Sequence, residues 1–308
     1  MRKLSALTII LIMSILLIIF ACSDQKKQNL EETQNTIPLS SYQHQVTKDV
    51  VTLVHDAVDL IEKEGKESFK NFYDKDSKWF HDDTYIFVWG LDGMRYVYPR
   101  DPAGEGKNML KLKDINGKPI GKMFVDAAKS TSGQGWVFYE WTIPGEEEPT
   151  WKSTFIKKAV TPDDEKFLVG YGKYNMPMEK IFVKYTVDKA AKLLDEKGKE
   201  VAFSAFNDQA GPFIFLDTYV YVKDMQGNEL VNPMFPELVG KNIMNLQDAN
   251  GNYFVKNEIE KLQEQDSCWY SYMWPKPGAE KPSQKTVYVK KVKLPQDTLV
   301  VGAGYYKD

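Results

Sequence analysis

The chain has 308 residues, of which 43% are hydrophobic and 27% are charged, as is ordinary for a protein with a folded core. Its 40 lysine and arginine residues nearly balance 43 aspartate and glutamate residues, and the formal net charge is −3 at pH 7. Such a chain lacks the basic surplus that attracts phosphate backbones, so the composition argues against nucleic-acid binding.

Residues 1–21 are predicted to be a lipoprotein signal peptide. Two basic residues precede an apolar run over residues 4–21, which is long enough for a signal-peptide core. The run ends in Phe20-Ala21-Cys22, which resembles a bacterial lipobox. The resemblance implies cleavage before Cys22, lipidation of its thiol and anchoring of an extracytoplasmic protein to a membrane of the cell envelope. The alternative is an uncleaved membrane anchor, although the run is short for a bilayer span of about 20 residues.

Residues 22–45 are predicted to be a flexible tether, because this polar stretch is too poor in apolar residues to pack. With Cys22 assigned to lipid, Cys268 has no cysteine left to pair with. We therefore predict no disulfide, and we interpret Cys268 as a small buried residue.

The rest of the chain contains one sequence pattern twice. The segment that begins Gly106-Lys107-Asn108 returns as Gly240-Lys241-Asn242, 134 residues later, and aligned aromatic residues and prolines extend the match in both directions. A period of this length is the size of one autonomous domain. The sequence therefore predicts two tandem domains, a first copy over residues 46–177 and a second copy over residues 178–308.

Each copy is predicted to begin with a long helix, over residues 46–80 and 178–206, because apolar residues recur there at helical spacing. A strand hairpin follows, then an irregular segment with a short helix, over residues 99–130 and 233–265, which we call the covering segment. Further strands are predicted at residues 136–143, 152–160 and 167–174, and at 269–274, 285–292 and 299–306. This order predicts an α+β fold in which each copy is PAS-like, with a long N-terminal helix and a five-stranded antiparallel sheet.

Several separate motifs of the second copy occur together in a known family. They are Trp274-Pro275-Lys276-Pro277-Gly278, Lys285-Thr286-Val287-Tyr288-Val289, Val301-Gly302-Ala303-Gly304-Tyr305 and Val239-Gly240-Lys241-Asn242. In this order they resemble the single-Cache type 2 domain of bacterial extracellular sensors. The first copy resembles it more loosely, since Phe155 stands where the second copy has Tyr288.

The resemblance implies a sensor of small ligands. Domains of this type lie outside the cytoplasmic membrane in chemotaxis receptors and sensor kinases, where they serve signal transduction and bind small organic carboxylates between the sheet and its covering segment. Because no transmitter follows Asp308, we expect the protein to act through a partner, a membrane sensor or a transporter. The alternative is that both copies have lost their ligand and serve as a protein-interaction module of the envelope.

Candidate ligand-binding residues are hydroxyl, amide, cationic and aromatic side chains, most of them at positions that coincide between the copies. They are Tyr85, Tyr98, Tyr139, Trp141 and Lys152 in the first copy, and Tyr219, Asn232, Tyr272, Trp274, Lys285 and Tyr288 in the second. The alternative is that the aromatic residues are core and the lysines structural. Arg95 aligns with Glu229, and we interpret a position that reverses its charge between copies as a solvated strand face.

An enzyme is not expected. The second copy has no histidine, and neither nucleophile-elbow, phosphate-loop nor zinc-protease motifs occur in the chain. We predict no cofactor and no metal site. The ligand is predicted to be a small monocarboxylate, with the second copy as its receptor, because that copy keeps the fuller motif with Lys285 and Tyr288.

Overall fold

The computed structural model describes residues 37–307. The predicted signal peptide and the lipidation site at Cys22 lie outside these residues. Within them, no helix is both long enough and apolar enough to cross a bilayer.

Four α-helices and two sets of strands make up the described chain. The helices are α1 (Gln45–Glu64), α2 (Ile120–Lys129), α3 (Lys180–Asn207) and α4 (Phe254–Glu264). The strands of the first half are β1 (Phe80–His81), β2 (Thr84–Tyr85), β3 (Phe87–Gly90), β4 (Arg95–Val97), β5 (Gln134–Thr142), β6 (Pro149–Val160) and β7 (Lys166–Tyr174). Those of the second half are β8 (Ile214–Phe215), β9 (Thr218–Tyr219), β10 (Tyr221–Asp224), β11 (Glu229–Val231), β12 (Ser267–Pro275), β13 (Pro282–Lys293) and β14 (Thr298–Tyr306).

The strands form two five-stranded antiparallel sheets with the same topology. Their orders are β4-β3-β7-β6-β5 and β11-β10-β14-β13-β12, and the pairs β1-β2 and β8-β9 form two small ribbons. The predicted α+β fold, with a long helix and a five-stranded antiparallel sheet in each copy, is confirmed.

The first helix is shorter than the sequence pattern predicts. It ends at Glu64, where Gly65 adopts φ 63° and donates its N–H to the carbonyl of Ile61. Glycine tolerates this positive φ, so it stops the α-helix, and the chain continues as a 3-10 helix over Gly65–Tyr73. In α3, Gly198 breaks the helical geometry in the same way, with φ 76°.

Each sheet is covered on both faces. In the first half, the apolar stripe of α1 packs on one face, and Val50, Val54, Val58 and Ile61 are all buried there as their spacing predicts. The covering segment with α2 packs on the other face. The second half repeats this arrangement with α3 and α4. Cys268 lies buried beneath α4, as predicted, and burial raises the pKa of its thiol.

Aromatic packing joins the two halves. The rings of Phe138, on β5, and Phe215, on β8, stack with centroids 4.1 Å apart. Phe182 of α3 packs into the core of the first half, whereas the next residue, Val183, packs into that of the second. The buried Lys118 adds a polar link, because its Nζ donates to the carbonyl oxygen of Ile214 at 2.7 Å.

The predicted tether is wrong at its C-terminal end. Tyr42 is 2% exposed, and its hydroxyl accepts a hydrogen bond from Trp136 Nε1 at 3.0 Å. The carboxylate of Glu179 accepts the backbone N–H groups of Gln43 and His44. One aromatic side chain and one buried carboxylate thus fix residues whose polar composition alone suggests no packing.

Candidate functional site

A β-bulge in each hairpin directs one charged side chain toward the covering segment. In the first sheet, Val88 pairs with Val97 but Trp89 pairs with Arg95, so one extra residue stands between the two pairs. In the second sheet, Val222 pairs with Val231 and Lys223 with Glu229. The bulge reverses the alternation of faces, and Arg95 and Glu229 therefore lie on the covered face rather than beside the helix.

The prediction that Arg95 and Glu229 occupy a solvated face is wrong. Arg95 is 8% exposed and Glu229 is 2% exposed. Each lines a cavity between its sheet and its covering segment. A charge reversal between the copies thus marks a difference between the two cavities.

The cavity of the second copy is small and lined by polar and aromatic side chains. Its volume is about 20 Å³. Five of the predicted residues lie together in its wall, namely Tyr219, Asn232, Tyr272, Trp274 and Lys285. Side chains that the sequence reading missed complete the wall: Tyr221, Lys223, Glu229, Leu238, Ile243 and Phe254.

Lys285 is a buried cation with no carboxylate partner. It is 1% exposed, and its Nζ donates to the hydroxyl of Tyr219 at 2.7 Å. The ammonium group also lies 4.0 Å from the ring centroid of Tyr219 and 5.3 Å from that of Tyr306. Within residues 37–307, no carboxylate oxygen is within ion-pairing distance of this group. Burial lowers the pKa of Lys285 to about 7, and the nearby Glu229 opposes this effect.

The other lysine of the cavity is neutralised. Lys223 Nζ lies 3.0 Å from Glu258 Oε1, and both side chains are almost fully buried. The Lys223–Glu258 pair therefore presents little net charge to the cavity.

Glu229 and Tyr221 leave polar atoms without partners at this cavity. Glu229 Oε1 accepts a hydrogen bond from Asn232 Nδ2 at 2.8 Å, but Glu229 Oε2 and the Tyr221 hydroxyl are buried with no partner among the described residues. Burial raises the pKa of Glu229 to about 7, with Lys223 and Asn232 acting in the opposite direction. Near neutral pH this carboxyl group is therefore protonated in a large share of the molecules.

Tyr288 does not belong to the cavity. On the regular strand β13, it lies three positions after Lys285, an odd offset that places the two side chains on opposite faces of the sheet. Tyr288 packs beneath α3, and its ring centroid lies 5.1 Å from that of Trp269. Its predicted role in ligand binding is corrected to one in the core.

The predicted residues of the first copy divide into two groups. Tyr98 and Trp141 line a cavity of about 500 Å³, whose wall also contains Trp89, Arg95, Arg100, Asp101, Met109, Leu112 and Pro144. The other three form a buried cluster beside it. Lys152 Nζ donates to the hydroxyl of Tyr85 at 3.0 Å, and the hydroxyls of Tyr139 and Thr154 are 3.0 Å apart.

One residue of the cavity that was not predicted, Lys223, could have been found from strand alternation. Tyr219, Tyr221 and Lys223 alternate along β9 and β10, so a cavity that includes Tyr219 also includes Lys223 on the same face. The covering-segment residues, such as Leu238 and Ile243, carried no such signal, because that segment has no regular period.

Comparison with known proteins places the fold in a family. The profile of the Cache domain matches the chain twice, over residues 10–180 and 177–308. The chain belongs to the Cache domain family. The resemblance seen in the sequence motifs is therefore confirmed for both copies.

Two relatives of this Cache protein are signalling proteins. The methyl-accepting chemotaxis protein McpP of Pseudomonas putida is 33% identical over 93 residues, which are 30% of this chain and 16% of McpP. The sensor histidine kinase MctS of Rhizobium johnstonii is 33% identical over 92 residues, which are 30% of this chain and 19% of MctS. This chain thus matches less than a fifth of the length of either relative.

Solved structures that resemble part of this chain come from chemosensory proteins. A Cache chemosensory domain studied for carboxylic acid recognition is 23% identical, with a TM-score of 0.37, and the match covers 42% of this chain and 92% of that domain. A methyl-accepting chemotaxis protein of Vibrio parahaemolyticus is 25% identical, with a TM-score of 0.36, and the match covers 42% of this chain and 88% of that one.

Proposed function

We propose that the second Cache copy binds a small monocarboxylate on Lys285. The observation that carries this proposal is a fully buried lysine side chain, beside a cavity, whose amino group has a hydroxyl and aromatic rings around it but no carboxylate within ion-pairing distance among the described residues. An isolated buried charge is costly, and an anionic ligand removes that cost by supplying the missing partner.

The charges of the cavity favour a single negative charge on the ligand. Lys223 is already paired with Glu258, and Glu229 is neutral when it holds its proton. When Lys285 also holds its proton, it is then the one uncompensated cation among the described residues of the wall. A second carboxylate on the ligand would meet no free cation there.

The hydrogen-bonding groups of the cavity also suit a carboxylate. Lys285 keeps two N–H groups beyond the one donated to Tyr219, and the Tyr221 hydroxyl has no partner. A protonated Glu229 offers an O–H at the same place. These groups are donors, and a carboxylate has acceptor sites for all of them.

The size of the cavity restricts the ligand to very few atoms. A volume of about 20 Å³ is little more than the roughly 10–15 Å³ that one water needs. Acetate has four non-hydrogen atoms and needs more room than this, so we propose that side chains of the wall move to admit the ligand, and that the ligand is a monocarboxylate of no more than two or three carbons, with acetate as the probe.

At the level of the cell, we propose a lipid-anchored extracytoplasmic protein that senses or captures this ligand and acts through a partner in the membrane. The family membership and the signalling relatives support the sensory half of this proposal. The lipid anchor is proposed because the sequence that ends at Cys22 resembles a lipobox. The two copies, over residues 46–177 and 178–308, are proposed as the two domains.

The test is calorimetric titration of the purified full chain with acetate, in wild type, Lys285→Met and Lys152→Met. Lys152 is the matched control, because it is also buried and also donates to a tyrosine, but in the first copy. Loss of a charge-assisted hydrogen bond costs about 1.5–3 kcal/mol, so Lys285→Met is expected to weaken binding roughly ten- to a hundredfold. Lys152→Met is expected to bind acetate as wild type does.

Two results would contradict the proposal. If Lys152→Met abolishes binding and Lys285→Met does not, the small-ligand site is in the first copy. If wild type binds neither acetate nor any other small carboxylate, the protein-interaction module becomes the better interpretation.

A further inference from the structure

The first copy contains a cavity of a different kind from the second. Its volume is about 500 Å³, in the range of cavities that hold organic ligands, whereas that of the second copy is about 20 Å³. Trp89 stands where the second copy has the buried Lys223, and Phe124 where it has Glu258. An aromatic pair thus replaces a buried ion pair, and the cavity beside it is wider.

Three side chains of this cavity have N–H groups without partners. They are Arg95 Nε, Arg100 Nε and Trp89 Nε1, each buried and without a hydrogen-bond acceptor within the described residues. All three atoms are donors only, and buried donors in folded proteins are nearly always satisfied. A ligand that satisfies them must bring acceptors.

Cations outnumber carboxylates in the wall. Arg95 and Arg100 contribute two guanidinium groups, and Asp101 contributes one carboxylate. That carboxylate is 55% exposed and lies 3.8 Å from Arg95 Nη1, so it neutralises Arg95 weakly. A second contact of the Arg95 guanidinium is also weak, since Nη2 lies 3.3 Å from Met109 Sδ. The surplus is one positive charge, which favours a monoanion.

The rest of the wall is apolar. Trp89, Trp141, Met109, Leu112 and Pro144 form most of it. The guanidinium of Arg95 also lies 4.6 Å from the ring centroid of Tyr98, and this stacking orients its edge toward further acceptors. Flat aromatic walls of this kind bury the ring of a ligand with favourable packing.

We propose that the first Cache copy is a second ligand site, distinct from the Lys285 site, which binds an aromatic monocarboxylate with its carboxylate on Arg95 and Arg100 and its ring between Trp89 and Trp141. Lys152, the equivalent of Lys285, does not line this cavity, because it is held by the Tyr85 hydroxyl and faces the Tyr174 ring. The two copies thus recognise a carboxylate with different cations, at different positions of the same fold.

The experiment is calorimetric titration of the full chain with three probes: 3-phenylpropionate, the neutral 3-phenyl-1-propanol, and succinate. We expect 3-phenylpropionate to bind wild type, and Arg95→Gln and Arg100→Gln to weaken it tenfold or more. Lys285→Met, which removes the cation of the other copy, is expected to leave 3-phenylpropionate binding unchanged. Acetate binding in the Arg95→Gln variant is expected to equal that of wild type, which separates the two sites.

Each alternative outcome overturns part of the proposal. Absence of 3-phenylpropionate binding, or its loss in Lys285→Met alone, removes the second site. Equal binding of 3-phenyl-1-propanol shows that the guanidinium groups do not recognise a carboxylate. Tighter, Arg95-dependent binding of succinate shows that the ligand is a dianion without an aromatic ring. If thermal unfolding shows that the arginine variants do not fold, the wild-type comparison of the acid with the alcohol still tests carboxylate recognition, and Lys285→Met still tests whether the site is separate from that of the second copy.

Discussion

Replacing Glu229 with glutamine tests whether this carboxyl group is buried in the cavity as described. Burial raises its pKa from 4.5 to about 7. Between these two values the folded protein holds a proton that the unfolded chain has released, so the free energy of unfolding falls as the pH rises. Each pKa unit corresponds to about 1.4 kcal/mol, and the fall across this range is therefore about 3 kcal/mol.

Glutamine imitates the protonated carboxyl group and does not titrate. Its amide oxygen can still accept the hydrogen bond from Asn232. The Glu229→Gln variant should therefore lack this decline, and its stability relative to wild type should increase by about 3 kcal/mol between pH 4.5 and pH 8. Urea denaturation at half-unit pH steps measures the difference, in which the contributions of carboxylates distant from Glu229 cancel.

Lys285→Met serves as a control, because Lys285 is expected to change the free energy of unfolding with pH in the opposite direction. Burial lowers the pKa of Lys285 from 10.5 to about 7, so between these values the unfolded chain holds a proton that the folded protein lacks. Wild-type stability therefore gains a contribution as the pH rises above 7, and Lys285→Met should lack it.

A constant stability difference between wild type and Glu229→Gln from pH 4.5 to 8 would refute the description of this cavity.

Two further variants test other parts of the account. Phe215→Ala removes the ring that stacks on Phe138 between the copies. Because Phe215 is fully buried, we expect urea denaturation to show that the free energy of unfolding falls by about 3–5 kcal/mol. A fall below about 1 kcal/mol would show that this junction is not tightly packed. Cys22→Ala should leave an unprocessed precursor that incorporates no labelled fatty acid, whereas equal labelling of variant and wild type would contradict the lipoprotein prediction.

The internal repeat predicted most of the fold because the two copies can be aligned with each other, and each copy supports the assignment of helices and strands in the other. Apolar positions at helical spacing, such as Val50 and Val54, identified the face of α1 that packs on the sheet. The end of that helix was missed, since the stop depends on the backbone conformation of one glycine, Gly65. The packing of Tyr42 was missed for a related reason, because its partner Trp136 is far away in the chain.

The candidate site was predicted unevenly. Side chains on regular strands, such as Tyr272 and Trp274, were placed together because residues two apart share a face. Arg95 and Glu229 were misplaced because the bulge between the strands of each hairpin reverses that rule, and nothing in the residue types marks the bulge. Tyr288 was included on family resemblance, although strand alternation places it opposite Lys285.

The most direct test of the central claim is a crystal structure of the protein grown or soaked with acetate. We expect one acetate in the cavity of the second copy, with a carboxylate oxygen about 2.7–2.9 Å from Lys285 Nζ, the usual length of a charge-assisted hydrogen bond. Two results would contradict acetate binding at Lys285. One is a crystal in which acetate occupies the first copy and the second-copy cavity holds none. The other is an empty second-copy cavity in a protein that also shows no acetate binding in solution.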